Sequence, residues 1–319
     1  MGMHVPRRST IALATAGALA STGSAYLGAR NLLVGQAIHV RTVIPKNSEA
    51  PPRADGVYSP GGGPVQRWRS GTPFDLHLMV FGDSTATGYG CATAEEVPGV
   101  VIARTLADQT GLRIRLSTKA IVGATSKGVL GQVDAMFVAG PPPDVAVIMI
   151  GANDITALNG IAPSAQRLGL SVRKLRNRGA VVVVGTCPDF GLVTAIPQPL
   201  RSVARTRGLR LARAQAAAVR AAGGVPVPFA HLVAPKFREM PDLMFSADRY
   251  HPSAAGYAEA AEQLLGALRE ALAEKIGTSP PELPSADVVA NARRSRRALA
   301  AKLWRRPVAT GAAAAAALS

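Results

Sequence analysis

Four short pieces of this sequence bring together residue types that can do chemistry. They are Gly82-Asp83-Ser84, Val122-Gly123-Ala124, Gly151-Ala152-Asn153-Asp154 and Asp248-Arg249-Tyr250-His251-Pro252. A serine hydroxyl is a weak nucleophile near neutral pH and needs a base within hydrogen-bond reach. His251 can be that base. Asp248, three residues earlier, lies within one turn and can hold the imidazole tautomer through the other ring nitrogen. Attack on a carbonyl builds negative charge on oxygen, and that charge needs donors. The backbone N–H groups of Ser84 and Gly123 and the side-chain amide of Asn153 can supply them. Taken singly, each piece is ordinary: Gly-Asp-Ser after a strand is a turn, Asn153-Asp154 an Asx turn, His-Pro a capping segment. The residues carry meaning as a set, and only if a fold gathers them.

A rival nucleophile exists. Ala124-Thr125-Ser126-Lys127-Gly128 approximates a G-x-S-x-G elbow, with Ala in place of the first Gly. No order of acid and histidine accompanies Ser126 that also accounts for Asn153. Asp83 and Asp154 read as loop-ordering hydrogen bonders. The five histidines are scattered and no H-E-x-x-H is present, so no metal and no cofactor are expected.

The elements that must position these pieces alternate between strand and helix. Residues 76–81 are a short apolar run ending at a glycine, a first strand. Residues 97–109 have helical spacing and stop before Gly111. Strands are expected at 112–121, 145–150, 180–184 and 225–227, and helices at 128–138, 165–177, 200–222 and from Ser253 to about 275. The continuous apolar runs at 145–150 and 180–184 mark strands buried on both faces. Such alternation implies a parallel sheet with helices on both sides, whose ligands bind beyond the carboxyl ends of the strands. Each of the first three pieces follows a strand, and the fourth precedes the last helix.

In that order and placement the four pieces resemble the conserved blocks of the SGNH (GDSL-type) hydrolases, over roughly residues 76–275. The resemblance implies a three-layer α/β/α, flavodoxin-like fold with a five-stranded parallel sheet in the order 2-1-3-4-5. It implies Ser84 as nucleophile, His251 as base and then acid, Asp248 as its orienter, and Ser84, Gly123 and Asn153 as oxyanion donors. The activity it implies is that of an exported serine esterase acting on small acyl esters through an acyl-enzyme. Lipase, lysophospholipase, thioesterase and carbohydrate O-deacetylase activities also fall within the family. Thr85 departs from the Leu that many relatives carry after the serine, which touches packing more than catalysis. With no long insertion to serve as a lid, a shallow site and short acyl chains are expected. Two other classes stay open: a non-catalytic module binding an anionic envelope polymer, and an acyltransferase in which an alcohol intercepts the acyl-enzyme.

Composition narrows the classes further. The chain has 319 residues, 48% hydrophobic and 18% charged, enough for a sizeable core and too apolar for a wholly disordered chain. Its net charge of +16 suggests nucleic acid until it is located. Residues 1–72 carry +6 and residues 285–319 another +6, leaving only +4 for 73–284. A basic groove on the core is therefore not expected, and 4% aromatic residues argue against a base-stacking platform. Basic tails beside a membrane or another anionic surface are the simpler reading. Residues 1–30 read as a signal peptide or N-terminal membrane anchor: Arg7-Arg8 precede twenty uncharged positions, 10–29. Residues 31–73 read as a Pro/Gly-rich linker, 74–279 as the catalytic domain, and 280–319 as a basic, Ala-rich tail. The protein is thus expected outside the cytoplasm, secreted or held at the cell surface. Cys91 and Cys187 can pair in an exported chain, but two free thiols are the preferred reading.

Overall fold

The computed structural model describes residues 26–40, 42 and 50–277. The tail 280–319, and residues 1–25 of the expected leader, lie outside the described residues. Among the described residues no helix is long and apolar enough to cross a membrane.

The sheet has six strands: β1 (Gly56–Tyr58), β2 (Leu76–Gly82), β3 (Ile114–Thr118), β4 (Val145–Met149), β5 (Val181–Gly185) and β6 (Val225–Val227). Their order is β1-β3-β2-β4-β5-β6. The five parallel strands follow the order 2-1-3-4-5 that the family resemblance implies. β1 is an addition, pairing antiparallel with the outer edge of β3. Residues along β2 alternate between two cores, as the two-residue period of a strand requires. Leu78 and Val80 face one core, Met79 and Phe81 the other. The first core is closed by α3 (Pro98–Thr110) and α11 (Ala254–Gly277). The second is closed by α4 (Ser126–Ala139), α6 (Ile161–Arg176) and α7 (Leu200–Ala221). β4 and β5 are buried along their whole length, which is why they read as unbroken apolar runs.

The segment expected as a linker, 31–73, contributes to the fold. Residues 26–40 form a helix, α1, and residues 56–58 form β1. Three residues are too few to show alternation, and the Pro/Gly-rich surroundings hide the strand. Yet Tyr58 is 1% exposed, its hydroxyl donates to the Ala54 carbonyl, and the Arg104 guanidinium lies 5.1 Å from its ring centroid. Further along, the Trp68 ring lies under the Arg115 guanidinium at 3.5 Å. The segment covers what is otherwise an open edge of the sheet, the usual liability of an edge strand.

Candidate active site

In the strand order the direction of winding reverses at β2, where β3 lies on one side and β4 on the other. An open α/β sheet forms its ligand crevice at such a switch point. Ser84 follows β2 and opens the short helix α2 (Ser84–Thr87), Gly123 follows β3, and Asn153 follows β4 in α5 (Ala152–Thr156). His251 arrives just before α11. Ser84, Gly123, Asn153 and His251 all line one cavity of about 510 Å³.

The turn into Ser84 requires a glycine. Gly82 has φ +139°, and a Cβ there would meet the Met149 carbonyl oxygen at 2.0 Å. Asp83 caps α2: its Oδ1 accepts from the Thr85 N–H at 3.0 Å and the Thr85 hydroxyl at 2.7 Å. The threonine that replaces the usual leucine is thus a second hydrogen-bond donor to this carboxylate. Asp83 is 1% exposed, and burial pushes its pKa up to about 6 against those two hydrogen bonds. A helix start leaves its first N–H groups without intrahelical partners. Among the described residues the Ser84 N–H donates to no protein group, and neither does that of Gly123, which sits in a turn at φ +82°. Two unengaged donors therefore come from the turn that carries Ser84 and from the loop after β3. The Asn153 amide nitrogen donates to the Ala124 carbonyl at 2.9 Å and faces Asp83 Oδ2 at 3.5 Å. The second of these is too long to be strong, so one amide hydrogen is available to a developing oxyanion.

His251 is 8% exposed, with Asp248 Oδ2 2.7 Å from its Nδ1. Asp248 Oδ1 accepts from the Ser246 hydroxyl at 2.7 Å and from the N–H groups of Tyr250 and His251, each at 2.9 Å. Burial raises the pKa of this carboxyl, but the hydrogen bonds outweigh it and hold the group well below the ordinary carboxylate range. An ionised Asp248 fixes the proton on Nδ1 and leaves Nε2 as the acceptor. The intervening Arg249 has φ +53°, which folds the Asp-x-x-His segment tightly enough for one carboxylate to serve all four donors. The imidazole sits between Tyr89 and Tyr250, whose ring centroids are 4.6 Å and 5.0 Å from its own. The Tyr257 hydroxyl of α11 donates to the Tyr89 carbonyl at 2.8 Å, tying the nucleophile's turn to the helix that follows the histidine. Among the described residues no hydrogen bond joins Ser84 Oγ to His251; such contacts often close only around substrate.

Three buried polar side chains brace the site loops, and the two glutamines among them do not stand out in the sequence. Gln132 of α4 accepts from the Gly82 N–H and donates to the Gly82 carbonyl, at 2.9 and 2.8 Å. Gln215 of α7 accepts from the Cys187 N–H and donates to the Ile150 carbonyl, at 2.8 and 3.1 Å. Asp154 accepts from Ser126 N–H and Oγ, from Asn159 and from Ser164, all within 3.0 Å, the loop-ordering role its position suggests. Ser126 is fully buried, spends its hydroxyl on Asp154 and does not line the cavity, so it is not placed as a nucleophile. Cys91 and Cys187 are free thiols, and burial pushes the Cys91 pKa up to about 12.

The cavity is walled by more than the strand-end loops. Its walls are mostly apolar: Phe190 and Val193 from the segment after β5, Phe229, Val233 and Phe237 from α8 (Phe229–Leu232) to α9 (Ala234–Glu239), and Val40 at the end of α1. These short helices are assembled from pieces too brief to announce a wall in sequence. Among the described residues no group of three or more His, Cys, Asp or Glu side chains is arranged to hold a metal ion.

A three-layer α/β/α fold with a serine, a carboxylate-held histidine and unengaged N–H groups at the carboxyl edge of its sheet has the arrangement of an SGNH hydrolase. The chain belongs to the GDSL-like lipase/acylhydrolase family, whose model matches residues 80–259. As a member it is a carboxylic ester hydrolase. It is 79% identical, over 281 residues, to the GDSL-like esterase Rv1075c of Mycobacterium tuberculosis, covering 88% of this chain and 90% of that one. Solved structures of similar proteins include TesA, with 23% identity, a TM-score of 0.49 and coverage of 61% of this chain and 99% of that one. A lipase/acylhydrolase from Enterococcus faecalis is 21% identical, with a TM-score of 0.49 and coverage of 65% and 100%.

Proposed function

We propose that this chain is a serine esterase that works through an acyl-enzyme on Ser84. The observation that carries the reading is the Asp248–His251 pair, 2.7 Å apart, with His251 facing the cavity that Ser84, Gly123 and Asn153 also line. His251 Nε2 takes the Ser84 proton as Oγ attacks the ester carbonyl. The N–H groups of Ser84 and Gly123 and the Asn153 amide receive the oxyanion. His251 then gives its proton to the departing alcohol, and water repeats the sequence to release the acid. The largely apolar lining supports an acyl group as the part of the substrate that enters. The uncharged stretch 10–29 after Arg7-Arg8 supports action outside the cytoplasm on a lipid or O-acetyl glycan ester.

A fluorophosphonate probe followed by peptide mapping tests the nucleophile: the label is expected on Ser84. Ser84→Ala is expected to remove turnover of p-nitrophenyl acetate by several orders of magnitude, about 10⁶ where a comparable serine has been removed. Labelling at another serine, or an active Ser84→Ala protein, overturns the assignment. A reporter fused after residue 45 tests export, with activity outside the cytoplasm as the expected result.

A further inference from the structure

We infer that the rim of the cleft is a docking surface for an anionic phospholipid bilayer, formed by α1 and by the loops that carry Gly123 and Asn153. Fifteen large hydrophobic side chains stand exposed among the described residues. Five of them, Tyr26, Leu27, Leu32, Val34 and Ile38, lie on the fifteen residues of α1. A helix that packs on a protein normally turns such residues inward. At 3.6 residues per turn, Leu27, Val34 and Ile38 fall within about 40° of one another on the helix surface. Inward positions are held by Val40, which lines the cavity, and by Gln36, which bonds the Gln198 carbonyl and the Leu200 N–H at the start of α7. The apolar stripe is therefore fixed beside the mouth and faces away from the protein.

Three more of the fifteen border the oxyanion donors. Ile121 and Val122 immediately precede Gly123, and Leu158 follows α5, which carries Asn153. Leu158 has φ +56°, a conformation that costs a bulky side chain energy, and it is 74% exposed. The free molecule gains nothing evident from a strained, exposed leucine there; a hydrocarbon surface over the mouth supplies the missing burial.

Charge selects the kind of surface. α6 and α7 carry ten basic residues and no acidic one, of which only Lys174 and Arg205 are ion-paired among the described residues, with Asp134 and Asp189; α1 carries Arg30 and no acid. A soluble polyanion would satisfy these cations and leave the stripe in water. A neutral bilayer would cover the stripe and leave the cations unused. A second copy of the chain would bring a like charge against them. An anionic bilayer answers both features. The uncharged stretch 10–29 runs into the first turn of α1, so the sequence before the helix, 10–25, also carries no charge. The inference rests on the esterase reading only for what the membrane delivers, namely ester bonds at the mouth of the cavity.

The test is co-sedimentation of the full chain with vesicles of phosphatidylcholine, with and without phosphatidylglycerol. The wild type is expected to sediment with the anionic vesicles, less so as salt is raised. The Val34→Asp/Ile38→Asp protein and Leu158→Asn are the variants; asparagine tolerates the left-handed backbone, so folding is preserved. The double variant is expected to partition about tenfold or more weakly, Leu158→Asn more modestly, with turnover of soluble p-nitrophenyl acetate unchanged. Ser84→Ala is expected to bind like wild type, which separates docking from catalysis. The inference is overturned if wild type stays in the supernatant, or if the double variant sediments like wild type. Equal binding to pure phosphatidylcholine overturns the role of charge. Wild-type dimers that the double variant dissolves would make the stripe a self-interface instead.

Discussion

Asp83 and Asp248 are carboxylates on either side of the same serine and histidine, and their surroundings drive them in opposite directions. Asp248 is held ionised by four donors, so Asp248→Asn removes both the tautomer lock and the partner of the imidazolium. Turnover is expected to fall by up to about 10⁴. A variant with near-normal rates would reduce the site to a Ser84–His251 dyad. Asp83 is pushed up to about 6, whereas an unfolded aspartate titrates near ~3.9. The native state therefore holds this proton more tightly than the unfolded chain. Its contribution to stability is greatest below the unfolded value and declines as pH rises towards 6. Asp248 has the reverse sign, with stability present above ~3.9 and lost only in stronger acid, so the two windows separate. Melting temperatures across that interval are expected to fall more for wild type than for Asp83→Asn; parallel curves would mean that Asp83 does not titrate there. Asn153→Ala should lower turnover by about 10²–10³ with little change in KM, because its second amide hydrogen matters only once the oxygen is charged. Equal rates would leave Asn153 as a turn residue.

At the level of elements, the chemistry sits on loops and the accuracy of the loops comes from helices behind them. Gln132→Leu takes the side-chain acceptor from the buried Gly82 N–H, at a cost of about 1–3 kcal/mol, while the Gly82 carbonyl keeps the Ile121 N–H at 3.1 Å. A urea titration should show that loss, and turnover should drop with it because Gly82 leads into Ser84. The four motif blocks were legible because their residue types can do chemistry, three at strand ends and one before the last helix, and Ser84, Gly123, Asn153 and His251 from them line one cavity. β4 and β5 were legible because burial on both faces leaves no polar residue in them. The two glutamine braces were not, since a glutamine in a helix carries no mark of the backbone group it will meet, 50 residues away for Gln132. β1 and the wall of α8 and α9 escaped for another reason: each is shorter than two periods of the pattern that would reveal it. The small net charge of residues 73–284 is a sum, and it conceals the ten basic residues of α6 and α7, of which Lys174 and Arg205 are paired with Asp134 and Asp189.

On the scale of the whole molecule, the segment before the catalytic domain completes both the sheet and the cavity. Tyr58→Ala removes a fully buried ring and is expected to destabilise by about 3–5 kcal/mol, as truncation of core aromatics does. A chain beginning at residue 74 would bare the edge of β3 and should self-associate on size-exclusion chromatography; a stable monomer would return residues 31–73 to the rank of a linker. The sheet also separates charge. The layer of α4, α6 and α7 is strongly positive, while α11 on the opposite face carries four glutamates against one arginine and one lysine. Such a body is an electric dipole with a β-sheet as its spacer. In the field of a charged surface it experiences a torque before it makes contact, and long-range steering of this kind falls away as salt rises. The molecule's orientation is then chosen during approach, and rotational search, which often slows an enzyme working at a boundary, is shortened before the first side chain arrives.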